Sequence, residues 1–348
     1  MRTPRLLAVA ALICALPLAA TAQVHIAVIV EQPLSAAASS GAPRAVPAGS
    51  SFVASAMSPQ SLSATSSSTP AFPACSFSVS SGVHAGGFAG GQHEVLAFGG
   101  SSASGQICFS SSGGPFSGQV LATFSSAIPT QGFFRVEIGP RRFINQPPFS
   151  FATSISAFVD IGADGVNEAT TLIPGPTPRT DGVLWLPATL DAAGVPVRIG
   201  WSGATTGSAR VEFFEAGTGQ VVVAEPSCGP GLNAVWVRPT GGGPDQLRIA
   251  FFDLHTTPFG ATGEFLVFGT TDPMLTLPGS TGCALRTDIL GAFFFPDLLS
   301  NIDTHPTLSV PIPPGLSGLD FRVQGLIGAM NFNGIEWRTT DTLRVLRP

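Results

Sequence analysis

Residues 132–139 read GFFRVEIG, and residues 209–217 read ARVEFFEAG. In the first, Phe134, Val136 and Ile138 alternate with Arg135 and Glu137; in the second, Val211 and Phe213 alternate with Arg210 and Glu212. A period of two sends apolar side chains to one face of an extended strand and polar ones to the other. Outward from these, GQVLATFSS, FATSISAFVDIG, VLWLPATL and VPVRIGWSG are also strand-sized. Gly, Pro, Ser and Asn cut them at intervals of roughly 8 to 20 residues, the spacing of a sandwich. The expectation is an all-β chain with two antiparallel β-sandwich domains, jelly-roll or Ig-like. The nearest helical text is TDILGAFFFPDLLS, which Pro296 interrupts, so one short helical turn is expected there.

Four segments follow from the composition along the chain. Residues 1–22 read as a secretory signal peptide: Arg2 and Arg5 supply the positive start and Leu6 to Leu16 the apolar stretch. Ala20-Thr21-Ala22 then fits the small-x-small cleavage rule. Residues 23–70 carry a short strand-like run, Val24 to Val30, and then a Ser/Ala/Pro-rich tract too poor in apolar surface to offset its ordering entropy. This segment is expected to be a flexible, disordered spacer. Residues 71–224 form the first expected sandwich and residues 225–348 the second, with a Gly/Pro-dense junction between them.

Composition excludes several chemistries. All 16 basic residues are arginine and tyrosine is absent, so Schiff-base lysine, phosphate-loop lysine and tyrosine acid/base mechanisms are impossible. Against 21 acidic residues the net charge is −5, moving to −7 once Arg2 and Arg5 leave with the signal. No basic run marks a nucleic-acid partner. No other apolar run is long enough to span a membrane, and the signal-like residues 1–22 set the expectation of secretion to an extracellular or periplasmic location.

Four cysteines remain beyond the signal: Cys75, Cys108, Cys228 and Cys283. An even number in an exported chain favours disulfides, and four allow three pairings. Cys75–Cys108 with Cys228–Cys283 keeps each pair inside one expected folding unit. No CxxC or HxxxH spacing points to zinc.

Three constellations could carry chemistry. VDIGADGVNE places Asp160, Asp164, Asn167 and Glu168 in a Gly-bent loop, a donor set suited to Ca²⁺. It lacks the full EF-hand pattern, and the competing reading is a hairpin with a type I′ turn at Asp164-Gly165. His84, His93 and Glu94 could form a metal site or a base beside a carboxylate, although no HExxH is present. His255 with Asp253 lacks an indicated nucleophile, and no G-x-S-x-G elbow exists, so no catalytic residue is assigned. Trp185, Trp201, Trp236 and Trp337 could stack on sugar if exposed together, or fill cores if not.

The C-terminal segment also carries a resemblance. Cys228 follows a Gly/Pro-rich entry, Gly282-Cys283-Ala284-Leu285 comes later, and SVPIPPGLSGLDFRVQGLI precedes the closing TTDTLRVLRP. About residues 225–348 resemble the C-terminal β-sandwich repeated across secreted proteins of planctomycete-type bacteria. Pro311, Ile312, Pro313, Leu316, Gly318, Leu319 and Gln324 stand at the matching places; Thr340-Asp341-Thr342 departs from the usual Ser-Asn-Gly. The resemblance implies a Cys228–Cys283 disulfide and an appended surface domain, and no activity. The expected function is therefore a secreted, non-enzymatic structural or adhesive surface protein without a required cofactor, touching glycan or protein surfaces. The alternatives are a Ca²⁺-assisted carbohydrate-binding module and a glycan-active hydrolase using two facing carboxylates.

Overall fold

The alternation of short β-branched and aromatic runs resolves into strands throughout. A computed structural model describes residues 23–347 apart from 39–40, 69–75, 88–92, 105–113, 140–143, 147–148, 152–154, 171–182, 205–206, 226–230, 240–242, 253–260, 278–283, 296–306 and 332–333. Residues 1–22, expected to be a signal peptide, all five cysteines and the Asp253–His255 pair lie outside the described residues. The N-terminal strands are β1 (Val24–Ala36), β2 (Arg44–Val46), β3 (Ser51–Ser55), β4 (Gln60–Ser68), β5 (Ser76–Gly86), β6 (His93–Ser104), β7 (Phe116–Ser126) and β8 (Thr130–Gly139). Next come β9 (Ile144–Gln146), β10 (Phe149–Phe151), β11 (Ile155–Ile161), β12 (Ala169–Thr170), β13 (Val183–Leu190), β14 (Val195–Gly203) and β15 (Gly207–Ala216). The remainder are β16 (Gln220–Glu225), β17 (Gly231–Arg238), β18 (Gln246–Phe252), β19 (Ala261–Gly269), β20 (Leu275–Thr276), β21 (Ala284–Leu285), β22 (Gly291–Phe295), β23 (Thr307–Pro311), β24 (Leu319–Asn331) and β25 (Gly334–Arg347).

Among the described residues the fold is all-β, and every strand pair is antiparallel. One sheet runs β12-β11-β14-β7-β1-β2, with β3 also on β1. A long spine sheet runs β23-β18-β17-β15-β6-β5-β4, and β8 and β13 extend it from the other edge of β15. The third large sheet runs β16-β25-β24-β19-β22.

Two cores sit on the same face of the spine. Phe134, Val136, Ile138, Val211 and Phe213 meet Val24, Ile26, Val28, Val120 and Phe124 of the first sheet. Trp236, Leu247, Ile249 and Phe251 meet Leu266, Val323, Ile327, Leu343 and Val345 of the third. The spine passes through the expected boundary near residue 225: β15 pairs with β17 through Glu215–Arg238 and Ala216–Val237. Its opposite face holds a smaller core of Val183, Trp185, Phe214, Val235, Val237 and Ala250. Asn233 Nδ2 donates to the Val183 carbonyl at 3.2 Å, drawing β13 and β17 together over that face.

The structure corrects the expectation of a disordered spacer over residues 23–70. β1 lies between β7 and the β2/β3 pair, and β4 is hydrogen-bonded along β5. Small side chains replace large ones without loss of the alternation: Ala64, Ser66 and Ser68 turn inward on β4. Ser66 is tolerated there because its hydroxyl accepts from Ala38 N–H at 3.1 Å and donates to the Ala42 carbonyl at 2.8 Å. The helical turn expected in TDILGAFFFPDLLS is corrected too, since Gly291–Phe295 pairs along β19 as strand β22.

Candidate functional site

The polar halves of the alternating strands meet on the second face of the spine sheet. Register sets Glu94 of β6 beside Glu212 of β15, Glu212 beside Arg135 of β8, and Arg135 beside Trp185 of β13. The next rung along contains Leu96, Arg210, Glu137 and Val183. His84 of β5 flanks Leu96 at the rung's end. Glu94, Arg135, Glu137 and Glu212 are all buried.

Ion pairs knit the two rungs into a ladder. Arg135 reaches Glu212 through one nitrogen and Glu137 through another, the second at 2.7 Å. Arg210 Nε stands 3.1 Å from Glu94 Oε1, off the line that a hydrogen bond requires. Arg248 lies over the Phe214 ring, 4.3 Å from its centroid. Burial works against the Arg135 charge, but Glu137 and Glu212 outweigh it and hold the guanidinium above its ordinary pKa. Burial lowers Arg248 below its usual range, with Glu212 opposing.

Glu94 is the perturbed acid of the group. Burial pushes its carboxyl up to about 7; Arg210 pulls the other way, and the neighbouring charge of Glu212 adds to the rise. His93, its sequence neighbour, points to the opposite face, beside Phe213. Its ring nitrogens are buried without hydrogen-bond partners, and burial, followed by His25, lowers its pKa to about 4. His93 and Glu94 therefore cannot act together as base and carboxylate. Burial lowers the pKa of His84 as well.

The open end of this face is a hollow of 360 Å³. Gln131, Gly132, Phe133, Pro187, Thr189 and Ala216 line it. Phe133 and Gln131 continue the Arg135 side of β8, and Pro187 and Thr189 stand opposite them on β13.

The VDIGADGVNE loop joins β11 to β12, whose register is Val159–Ala169 and Phe158–Thr170. It is longer than the type I′ hairpin expected at Asp164-Gly165. Positive φ falls on Gly162, Ala163 and Gly165 and not on Asp164, whereas a type I′ turn needs it at both central residues. Asp160 is buried and accepts from the Asp164 and Gly165 amides at 3.1 Å each and from Arg198 at 3.2 Å. Glu168 accepts from Ile161 N–H at 2.6 Å, and Asp164 caps Val166 N–H at 2.9 Å. Asn167 lies half-buried in the same loop. The carboxylates thus fold the loop by accepting protein N–H groups. Among the described residues no three His, Cys, Asp or Glu side chains converge as a metal site.

The four tryptophans are dispersed. Trp201 is in the first core, Trp236 in the second and Trp185 in the third, while half-buried Trp337 sits 6.3 Å from the Phe265 ring. The ladder was visible in sequence only as polar residues alternating with core residues; beside it on the same face, β13, β17 and β18 contribute the third core and Arg248 from elsewhere in the chain. No family model, curated protein or solved structure matches the chain.

Proposed function

We propose that the chain is an exported, non-enzymatic structural or adhesive protein of a cell surface. The observation that carries this reading is the placement of the ionisable groups on the spine sheet. Buried Glu94, Arg135, Glu137 and Glu212, with half-exposed Arg210 against Glu94, form ion pairs that brace the sheet. Such pairing sacrifices reactivity for a fixed arrangement. The signal-like first 22 residues and the C-terminal resemblance support the same reading. Fractionation of the producing cell tests it, together with an attachment assay on a strain lacking the chain. Surface location and lost attachment are expected. Polysaccharide turnover by the purified protein, abolished by Glu94→Gln, would replace this reading with a glycan-active enzyme.

Glycan binding is a second reading, favoured by the hollow beside Phe133, where the Gln131 amide and Thr189 hydroxyl flank an aromatic residue. A glycan array probed with wild type and Gln131→Ala decides it; no differential signal removes it. The Asp160 loop gives a separate expectation about Ca²⁺. Because its acceptors already hold protein donors, melting curves with Ca²⁺ and with EDTA should coincide. A rise of several degrees with Ca²⁺ would make Asp160, Asp164, Asn167 and Glu168 ligands after all.

A further inference from the structure

Beyond the ion-pair ladder, the same face of the spine sheet runs out over β6, β5 and β4, and there it loses its charge. Register sets Ser208 of β15, Phe98 of β6, Gly82 of β5 and Ser63 of β4 in one rung. The next rung holds Gly100, Ser80 and Thr65, and the one after it carries Ser78 and Ser67. The alternate residues Leu62, Ala64, Val79, Val83 and Ala97 belong to the first core, so the rung side chains point outward. Ser63, Thr65 and Ser67 are exposed, and Phe98, Ser80 and Ser208 are half-buried.

Gly82 gives this face its shape. A Cβ built on it would stand 2.6 Å from Cζ of Phe98, so the Phe98 ring leans across β5 into space that a side chain would fill. The ring therefore has Ser208 at one end of its rung and Ser63 at the other. Neighbouring strands are about 5 Å apart and successive outward residues about 7 Å apart, which spreads the hydroxyls around the ring on the scale of a sugar unit.

The chemistry of the face selects its occupant. A nucleic acid or an acidic glycan needs cations, and these rungs carry none; the neighbouring Arg210 is committed to Glu94. A protein partner needs several apolar anchors at the centre of its interface, and one phenylalanine among serines does not supply them. An uncharged sugar fits both components, its C–H face against the aromatic ring and its hydroxyls exchanging hydrogen bonds with serine and threonine. We infer that this face binds an uncharged glycan, with Phe98 as the stacking residue and Ser63, Thr65, Ser80 and Ser208 as hydroxyl partners. The site shares no residue with the hollow beside Phe133. The inference rests on the adhesive reading above and gives that reading a ligand class.

An array of neutral and acidic oligosaccharides, probed with the full mature chain at low and at high salt, tests it. Retention on neutral probes is expected, nearly equal at the two salt concentrations because no ion pair forms. Phe98→Ala should weaken retention about tenfold, and Phe98→Trp should preserve it. Thr65→Asp, at an exposed position, should also weaken it while leaving the ring in place. Gln131→Ala, in the hollow, should leave the pattern unchanged. A chain retained by no neutral probe overturns the inference, as does retention that survives Phe98→Ala or is confined to acidic probes. Cell attachment abolished by Phe98→Ala while the array stays empty would make the partner a protein and overturn the glycan assignment. Attachment that persists in Phe98→Ala with an empty array would keep the adhesive function and remove this site alone.

Discussion

Glu94 and His93 are sequence neighbours on opposite faces of one strand, and burial moves their pKa values in opposite directions. Glu94 rises from 4.5 to about 7, so between those values the folded state holds a proton that the unfolded chain has lost. Its stabilising contribution is full below pH 4.5 and disappears as pH rises through 7. His93 falls from 6.5 to about 4, so the folded state lacks a proton that the unfolded chain binds. Its contribution is full above pH 6.5 and disappears as pH falls through 4. Between about pH 4.5 and 6.5 the two slopes oppose each other, and stability should be nearly flat with respect to these groups. Denaturant unfolding of Glu94→Gln should show stability declining as pH falls across that window, and His93→Leu should show it rising. Parallel profiles for wild type and both variants would show that the two groups do not set the pH response. At the ladder's centre, Arg135→Met leaves Glu137 and Glu212 buried without their cation. A loss of about 3–5 kcal/mol is expected, measured by the same unfolding experiment.

At the scale of single elements, strands written in large residues were legible and strands written in small ones were not. GFFRVEIG states its alternation in Phe, Val and Ile, and it becomes β8 with those residues in the core. QSLSATSSS states the same alternation in Ala and Ser, and composition alone reads it as linker. β4 shows why that inference fails: a buried serine is acceptable wherever a backbone partner meets its hydroxyl, as Ala38 and Ala42 do for Ser66. Ser66→Val should cost about 1–3 kcal/mol by leaving the Ala38 N–H unmet, readable as a lowered denaturation midpoint. Limited proteolysis should likewise spare residues 44–68; rapid cleavage between Ser51 and Ser68 would return the segment to a spacer. The ladder residues were equally visible one by one. Their polar alternation was compatible with a solvated face, and only long-range contacts such as Asn233 with Val183 reveal that β13 and β17 draw together on it.

At the scale of the molecule, the spine sheet makes two sandwich-like halves mechanically dependent on each other. Direct main-chain pairing across the junction is slight, being confined to the ends of β15 and β17. The stronger link is the third core, where Trp185 and Phe214 from the N-terminal half pack with Val235, Val237 and Ala250 from the C-terminal half. The Phe214 ring is 5.3 Å from the Trp185 ring and also carries the Arg248 guanidinium. Phe214→Ala should therefore cost about 3–5 kcal/mol, and the loss should fall on the coupling as much as on either half. Calorimetry distinguishes these effects. Wild type should unfold in one transition, whereas the variant should separate into two, because each half keeps the core on the other face of the spine. A single transition, merely shifted down, would mean that β15–β17 pairing suffices to couple the halves and that the third core adds stability without transmitting it.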